Sequence, residues 1–260
     1  MVVSPPLDAR QAWLQLAADA AALPCTRLEA EPAASDLRLE LTAGDPALAE
    51  RLAERIRTTP GLALARQQTL DPGSPLCRAF DTLARLTRPS PRRMVRLEEP
   101  LFATCAGGGC YRGLADHRLA EGERLTLRVE APDFPSHLTV DYLMADGHVF
   151  HLWPAPAGAG QPETVAAEGY ALARAPGSEL WLGDIRAGPD APAYPIGPPF
   201  GRELILVLAS PTPLFTRPRP ALEPIADYLG ALEAALARAE QGGARPLASA
   251  LPILTGPGGR

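Results

Sequence analysis

Residues 123–154 read ERLTLRVEAPDFPSHLTVDYLMADGHVFHLWP, and the recurrence of apolar residues in this stretch decides the fold class. Leu125, Leu127 and Val129 alternate with Thr126, Arg128 and Glu130, which predicts a half-buried strand over 125–130. Leu138, Val140 and Tyr142 form the next stripe of period two. Asp146-Gly147 is a hairpin turn signal, because glycine takes the positive φ the turn demands, and Val149–Trp153 returns as the partner strand. Further on, 154–178 is rich in Pro, Gly and Ala and reads as a long loop. Glu179–Leu182 reads as a short strand, followed by a second loop through Pro199. Leu204–Ala209 (LILVLA) is a continuous apolar run, the mark of a strand covered on both faces. This unit is mainly antiparallel β, a sandwich or a partly open barrel.

Upstream of it the period is helical. Trp13, Leu16, Ala20 and Leu23 recur at three- and four-residue steps, so 8–23 reads as an amphipathic helix with Asp8 as N-cap and Pro24 as its stop. Thr26–Glu31 and Leu37–Leu41 read as two short strands. Asp45-Pro46 opens a helix with the stripe Leu48, Leu52 and Ile56, closed by Pro60-Gly61. Leu62–Gln68 follows as a strand, and Ser74-Pro75 caps a third helix carrying Leu76, Phe80, Leu83 and Leu86. That order is a small α+β domain over 8–87.

Residues 87–100 (TRPSPRRMVRLEEP) hold three prolines and four arginines and mark the domain boundary. They read as a solvated linker rather than a phosphate patch. The β-rich domain then runs over 97–241. Its last element is a helix over 220–241 with the stripe Leu222, Ile225, Leu229, Leu232 and Leu236, expected to cover a face of the β unit. The tail 242–260 carries one apolar stretch, Leu247–Leu254, expected as an edge strand, and a disordered GPGGR end.

All 25 basic residues are arginine, and 30 acidic residues leave a net charge of −5. That balance argues against nucleic acid as a partner held by bulk charge. The absence of lysine excludes Schiff-base enzymes, P-loop NTPases and lysine-dependent kinases. No apolar run reaches the ~18 residues of a membrane span, so membrane contact is expected only through a parent anchor. The opening MVVSPPLDARQAW lacks a basic region followed by an apolar one and does not read as a signal peptide.

Two stretches together resemble the bacterial family known as domain of unknown function 4384: AEGERLTLRVEAPDFPSHLTVDYLMADGHVFHLWPAP at 120–156 and PFGRELILVLASPTPLF at 199–215. The matching elements are Gly122-Glu123, Asp146-Gly147-His148-Val149 with Leu152 and Pro154, and Gly201 through Ser210. The helix with Tyr228-Leu229 also fits. The first unit is similar to small BON-like domains of bacterial envelope proteins. LPC at 23–25, LRLELTAG and the PGL before the third strand carry that likeness, with the glycine motif reduced to Gly44. These resemblances imply a sensing, binding or scaffolding module in an envelope, type VI-like secretion or kinase-linked assembly, with a protein partner and no transferred catalytic residues.

The chemistry written into the residues themselves is sparse. G-x-S-x-G, H-E-x-x-H, G-x-G-x-x-G and P-loop motifs are absent. His148 and His151 lie near Asp141 and Asp146 around one hairpin, but strand residues three apart point to opposite faces. Only one histidine can share a face with a given carboxylate, so no metal is expected. The hairpin reads instead as a polar surface, an interaction candidate formed by Asp141, Asp146, His148, Phe150, His151 and Trp153. Phe134, Tyr142, Phe150, Trp153 and Trp181 are expected in the core of the β unit. Cys105 and Cys110 bracket Ala-Gly-Gly-Gly and lack the second pair a zinc site needs. The competing reading is a hydrolase using Cys105 or Cys110 with His117 or His137. No cofactor is expected.

The four cysteines allow three pairings. Cys25 lies just before the first strand and Cys77 in the first turn of the third helix, ends that a split α+β sheet can bring together. Cys25–Cys77 and Cys105–Cys110 are therefore the candidate disulfides. They imply a periplasmic setting, reached through a segment outside this chain or a membrane-anchored parent; a cytoplasmic protein with buried thiols is the alternative.

Overall fold

Asp45 starts its helix as the sequence requires: Asp45 Oδ1 accepts from the Ala47 N–H at 2.8 Å, and Pro46 occupies the first turn, where its missing N–H costs nothing. Ser74 does the same for the next helix, accepting from Leu76 N–H at 3.2 Å. The computed structural model describes residues 7–33, 36–87, 89–90, 92–100, 111–114, 117–154, 172–184 and 193–258. Helices combine with mixed and antiparallel sheets, an α+β organisation.

The chain divides into two units. The first comprises Met1–Arg93 and Ile225–Ser249, the second Met94–Pro224 and Ala250–Arg260. In the first, α1 (Leu7–Ala21), α2 (Pro46–Thr58) and α3 (Pro75–Leu86) accompany a sheet in the order β1 (Thr26–Pro32), β2 (Leu37–Ala43), β3 (Leu62–Thr69). β1 and β2 are antiparallel, and β2 and β3 are parallel across the α2 crossover. Trp13, Leu37, Leu39, Leu41 and Ile56 are fully buried in the core between them. Asp8 lies inside the first turn of α1 rather than capping it, where its charge meets the positive end of the helix.

The long helix corrects an expectation. α4 spans Ile225–Gln241 and belongs to the first unit, where its buried stripe of Leu229, Leu232 and Leu236 packs with α3. α3 offers it a matching apolar stripe, which the helix's own periodicity cannot reveal. Leu222 is not helical: Leu222–Pro224 is an extended strand, β12, and Leu222 is 49% exposed.

The second unit holds a four-stranded sheet in the order β10 (Glu179–Leu182), β7 (Leu127–Glu130), β4 (Val95–Pro100), β5 (Tyr111–Gly113). Its six-stranded sheet runs β12, β9 (His148–Trp153), β8 (His137–Leu143), β11 (Arg202–Ser210), β13 (Leu247–Gly256), β6 (Arg118–Ala120). Three further expectations change here. Residues 95–100 of the supposed linker form β4, an inner strand whose Val95 and Leu97 are buried while Arg96 pairs opposite Arg128. Arg93 is likewise buried on Glu40 at 2.9 Å rather than solvated. β13 is an inner strand between β11 and β6, parallel to β6, and the Gly256 carbonyl accepts from Glu121 N–H, so the strand takes in the start of the supposed disordered end.

The core of this unit is aliphatic, built from Leu125, Leu127, Val129 and all of Leu204–Ala209. Phe134, Tyr142, Phe150, Trp153 and Trp181 are each only half-buried, which corrects their assignment to the core. Gly147 takes φ 86 at the β8–β9 turn, as the Asp-Gly signal demands.

Candidate functional site

On β8 and β9 the hairpin register places Asp141 directly opposite His151, and a register shift between Val140 and Asp141 adjusts the strand there. β12 pairs on the far side of β9 with Glu223 opposite Val149, two residues from His151 on the same face. Three neighbouring strands thus aim Asp141, His151 and Glu223 at one another. His151 Nδ1 lies 2.5 Å from Asp141 Oδ1, and Nε2 lies 2.8 Å from Glu223 Oε1. Arg219 completes the row: its Nε donates to Glu223 Oε1 at 2.8 Å, its Nη2 pairs with Glu223 Oε2, and its guanidinium sits 5.4 Å from the Phe215 ring.

This cluster is internal. Asp141 is 1%, His151 2% and Glu223 6% exposed. The polar-surface reading of the hairpin is therefore corrected for Asp141 and His151, because β12 closes over the edge of β9 and supplies a second carboxylate. Burial works against the charged imidazole, but Asp141 and then Glu223 outweigh it and hold the His151 pKa above its ordinary value. With the imidazole protonated, two carboxylates, one imidazolium and one guanidinium sum to zero charge, the condition under which a buried ionic row persists.

The other hairpin residues lie outside this row. Asp146 accepts from His148 N–H at 3.0 Å and fixes the turn. The His148 side chain is 42% exposed, as the opposite-face rule predicts. Phe150 meets Tyr194 edge to face at 6.2 Å, and Trp153 is half-buried. Beside Asp141, Tyr142 points to the opposite face and donates to Glu203 Oε2, while Ala145 N–H donates to Glu203 Oε1 at 3.1 Å. Burial pushes both the Glu203 carboxyl and the Tyr142 phenol up.

Cys25 and Cys77 form a disulfide with Cα atoms 4.4 Å apart. Cys105 and Cys110 lie outside the described residues. Beside the bridge, Cys25 N–H donates to Asp81 at 2.7 Å. In the same unit a groove of about 390 Å³ runs past Ala17, Ala21, Thr26 and Ala84. Its Arg27 is bonded to Glu29 and to the Ala248 carbonyl. Among the described residues, no group of three or more His, Cys, Asp or Glu is arranged to hold a metal, and no helix is long and apolar enough to cross a membrane.

Comparison with family models, with characterised proteins and with solved structures gives no match.

Sequence reasoning found Asp141 and His151 but missed Glu223 and Arg219. Glu223 lies 72 residues from His151, inside a stretch whose leucine continues a helical stripe. The available signal was the proline spacing 218, 220 and 224, which opposes helix and favours extended chain.

Proposed function

We propose that the chain is a non-catalytic binding or scaffolding module of a bacterial envelope assembly, secretion-associated or kinase-linked, working in the periplasm. The observation that carries the reading is the state of His151. Both ring nitrogens are engaged by carboxylates and the ring is 2% exposed, so it has no nitrogen to exchange a proton with a substrate. The residue pattern that most invites a catalytic reading thus serves to tie three strands together. The Cys25–Cys77 bridge supports an oxidising compartment. The helix–strand–strand–helix–strand order of the first unit supports its BON-like reading, and the two sheets of the second support a sandwich of the 4384 type. The partner surface on this reading is the outer part of the β8–β9 hairpin: Asp146, His148, Phe150 and Trp153.

The test uses a photo-cross-linking amino acid at position 150 or 153 of the full chain in its native host. One discrete adduct with an envelope protein is expected, along with protection of Cys25 and Cys77 from alkylation in unreduced extracts. A hydrolytic turnover lost on Cys105→Ala or Cys110→Ala would overturn the reading in favour of the hydrolase.

A further inference from the structure

We propose that the Asp141–His151–Glu223–Arg219 row is a proton-held clasp that fastens β12, and that loss of the His151 proton releases this strand. The inference is independent of the binding reading. It starts from how little else holds β12. The strand has three residues, Leu222–Pro224, and among the described strands it lies at the sheet edge, paired with β9 alone. Pro224 has no N–H to give to a ladder. Leu222 and Pro224 are exposed, and Glu223 between them is buried. The anchor of β12 is therefore the Glu223 carboxylate on His151 and Arg219.

A carboxylate oxygen stands within hydrogen-bond distance of each ring nitrogen. An ionised carboxylate only accepts, so on this proposal both nitrogens carry hydrogen. Among the described contacts, the charged groups facing the ring are Asp141 from β8, Glu223 from β12 and, through Glu223, Arg219 from the segment before it. On β11 the residue opposite Asp141 is Leu206, which carries no charge, and His148 with Asp146 lies on the other face. Removing the proton leaves one net negative charge in the row and turns one ring nitrogen into a lone pair facing a carboxylate. That contact is repulsive. Because the folded ring holds its proton more tightly than the unfolded chain, the clasp is at full strength below the unfolded imidazole value of about 6.5. It is lost as pH rises through the higher folded value. β12 is also the stretch by which the chain leaves the second unit, since Pro224 is that unit's last residue before Ile225 enters the first. The clasp accordingly controls the order of that passage.

Two measurements on the full chain test this. Nitrogen NMR of the imidazoles should find both His151 nitrogens protonated at pH 7. Hydrogen exchange at the Ala221, Leu222 and Glu223 amides should accelerate about tenfold beyond the base-catalysed rise once His151 deprotonates, while β11 amides keep their protection. Asp141→Asn should move the His151 midpoint down by about one pH unit and the onset of exchange with it. A neutral His151 at pH 7, exchange at β12 that follows hydroxide alone, or a midpoint unmoved by Asp141→Asn would each overturn the proposal.

Discussion

A Cβ built on Gly183 would lie 2.1 Å from the Leu125 carbonyl oxygen, at a residue whose φ is +70. Gly147 has a similar φ of +86 but nothing within 4 Å of its Cβ position. The pair separates backbone strain from steric conflict. Gly147→Ala should cost about 1–2 kcal/mol, the price of a left-handed non-glycine residue. Gly183→Ala should cost more than about 3 kcal/mol, since overpacking against backbone adds to the same strain. Urea unfolding of both variants checks the difference, and equal losses would remove the steric argument. Glu203 makes a second case. Burial raises its carboxyl pKa although Tyr142 and Ala145 both donate to it, so the folded state holds its proton more tightly than the unfolded chain. Wild-type stability then falls as pH rises from the unfolded carboxylate value of about 4.3 through the folded one. Glu203→Gln keeps an acceptor for Ala145 and removes the buried charge. It should melt higher than wild type at pH 7, with the gap closing as pH drops through the folded value.

Among the elements, the most consequential tie is between the start of β1 and the first turn of α3. Cys25 and Cys77 are 52 residues apart, and closing a loop of that length contributes about 4 kcal/mol on the chain-entropy model. The Cys25→Ser, Cys77→Ser double variant should lose about 2–4 kcal/mol in denaturant unfolding, and an unchanged midpoint would show that the bridge constrains nothing. That pairing was legible because two local signals, LPC before a strand and Ser74-Pro75 before a helix, put both cysteines at element ends. α2, α3 and β10 were legible for the same kind of reason: cap, proline and alternation act within a few residues. β4 was not, because one face carries Arg96 and the buried Glu98 and the other supplies only Val95 and Leu97 to the pattern. β12 was hidden by Leu222, which stands three residues before Ile225 and so fits a helical stripe. In the candidate site, Asp141 and His151 share a hairpin and could be paired by counting from the turn. Glu223 reaches them only through sheet order, which no local spacing encodes.

For the molecule as a whole, the first unit is discontinuous: residues 225–249 belong with residues 1–93. A single cut within 87–100 therefore does not yield two self-sufficient pieces, contrary to what a linker there would allow. A fragment of residues 1–93 should bind hydrophobic dye and lack near-ultraviolet circular dichroism, because the apolar stripe of α3 has lost α4. Joining residues 225–249 to it through a flexible linker should restore a cooperative transition. A fragment 1–93 that unfolds cooperatively by itself would show α4 to be dispensable.

The same discontinuity sets a timetable during synthesis. Residues 1–93 leave the ribosome well before Ile225 is made. At ~5–20 residues per second, that delay is on the order of ten seconds. Throughout it the nascent domain is missing a wall, with α3 uncovered and open to chaperones or to another chain. Cys25 and Cys77 both emerge early in that interval. In an oxidising environment the bridge can close first and hold the half-built domain until its last helix arrives.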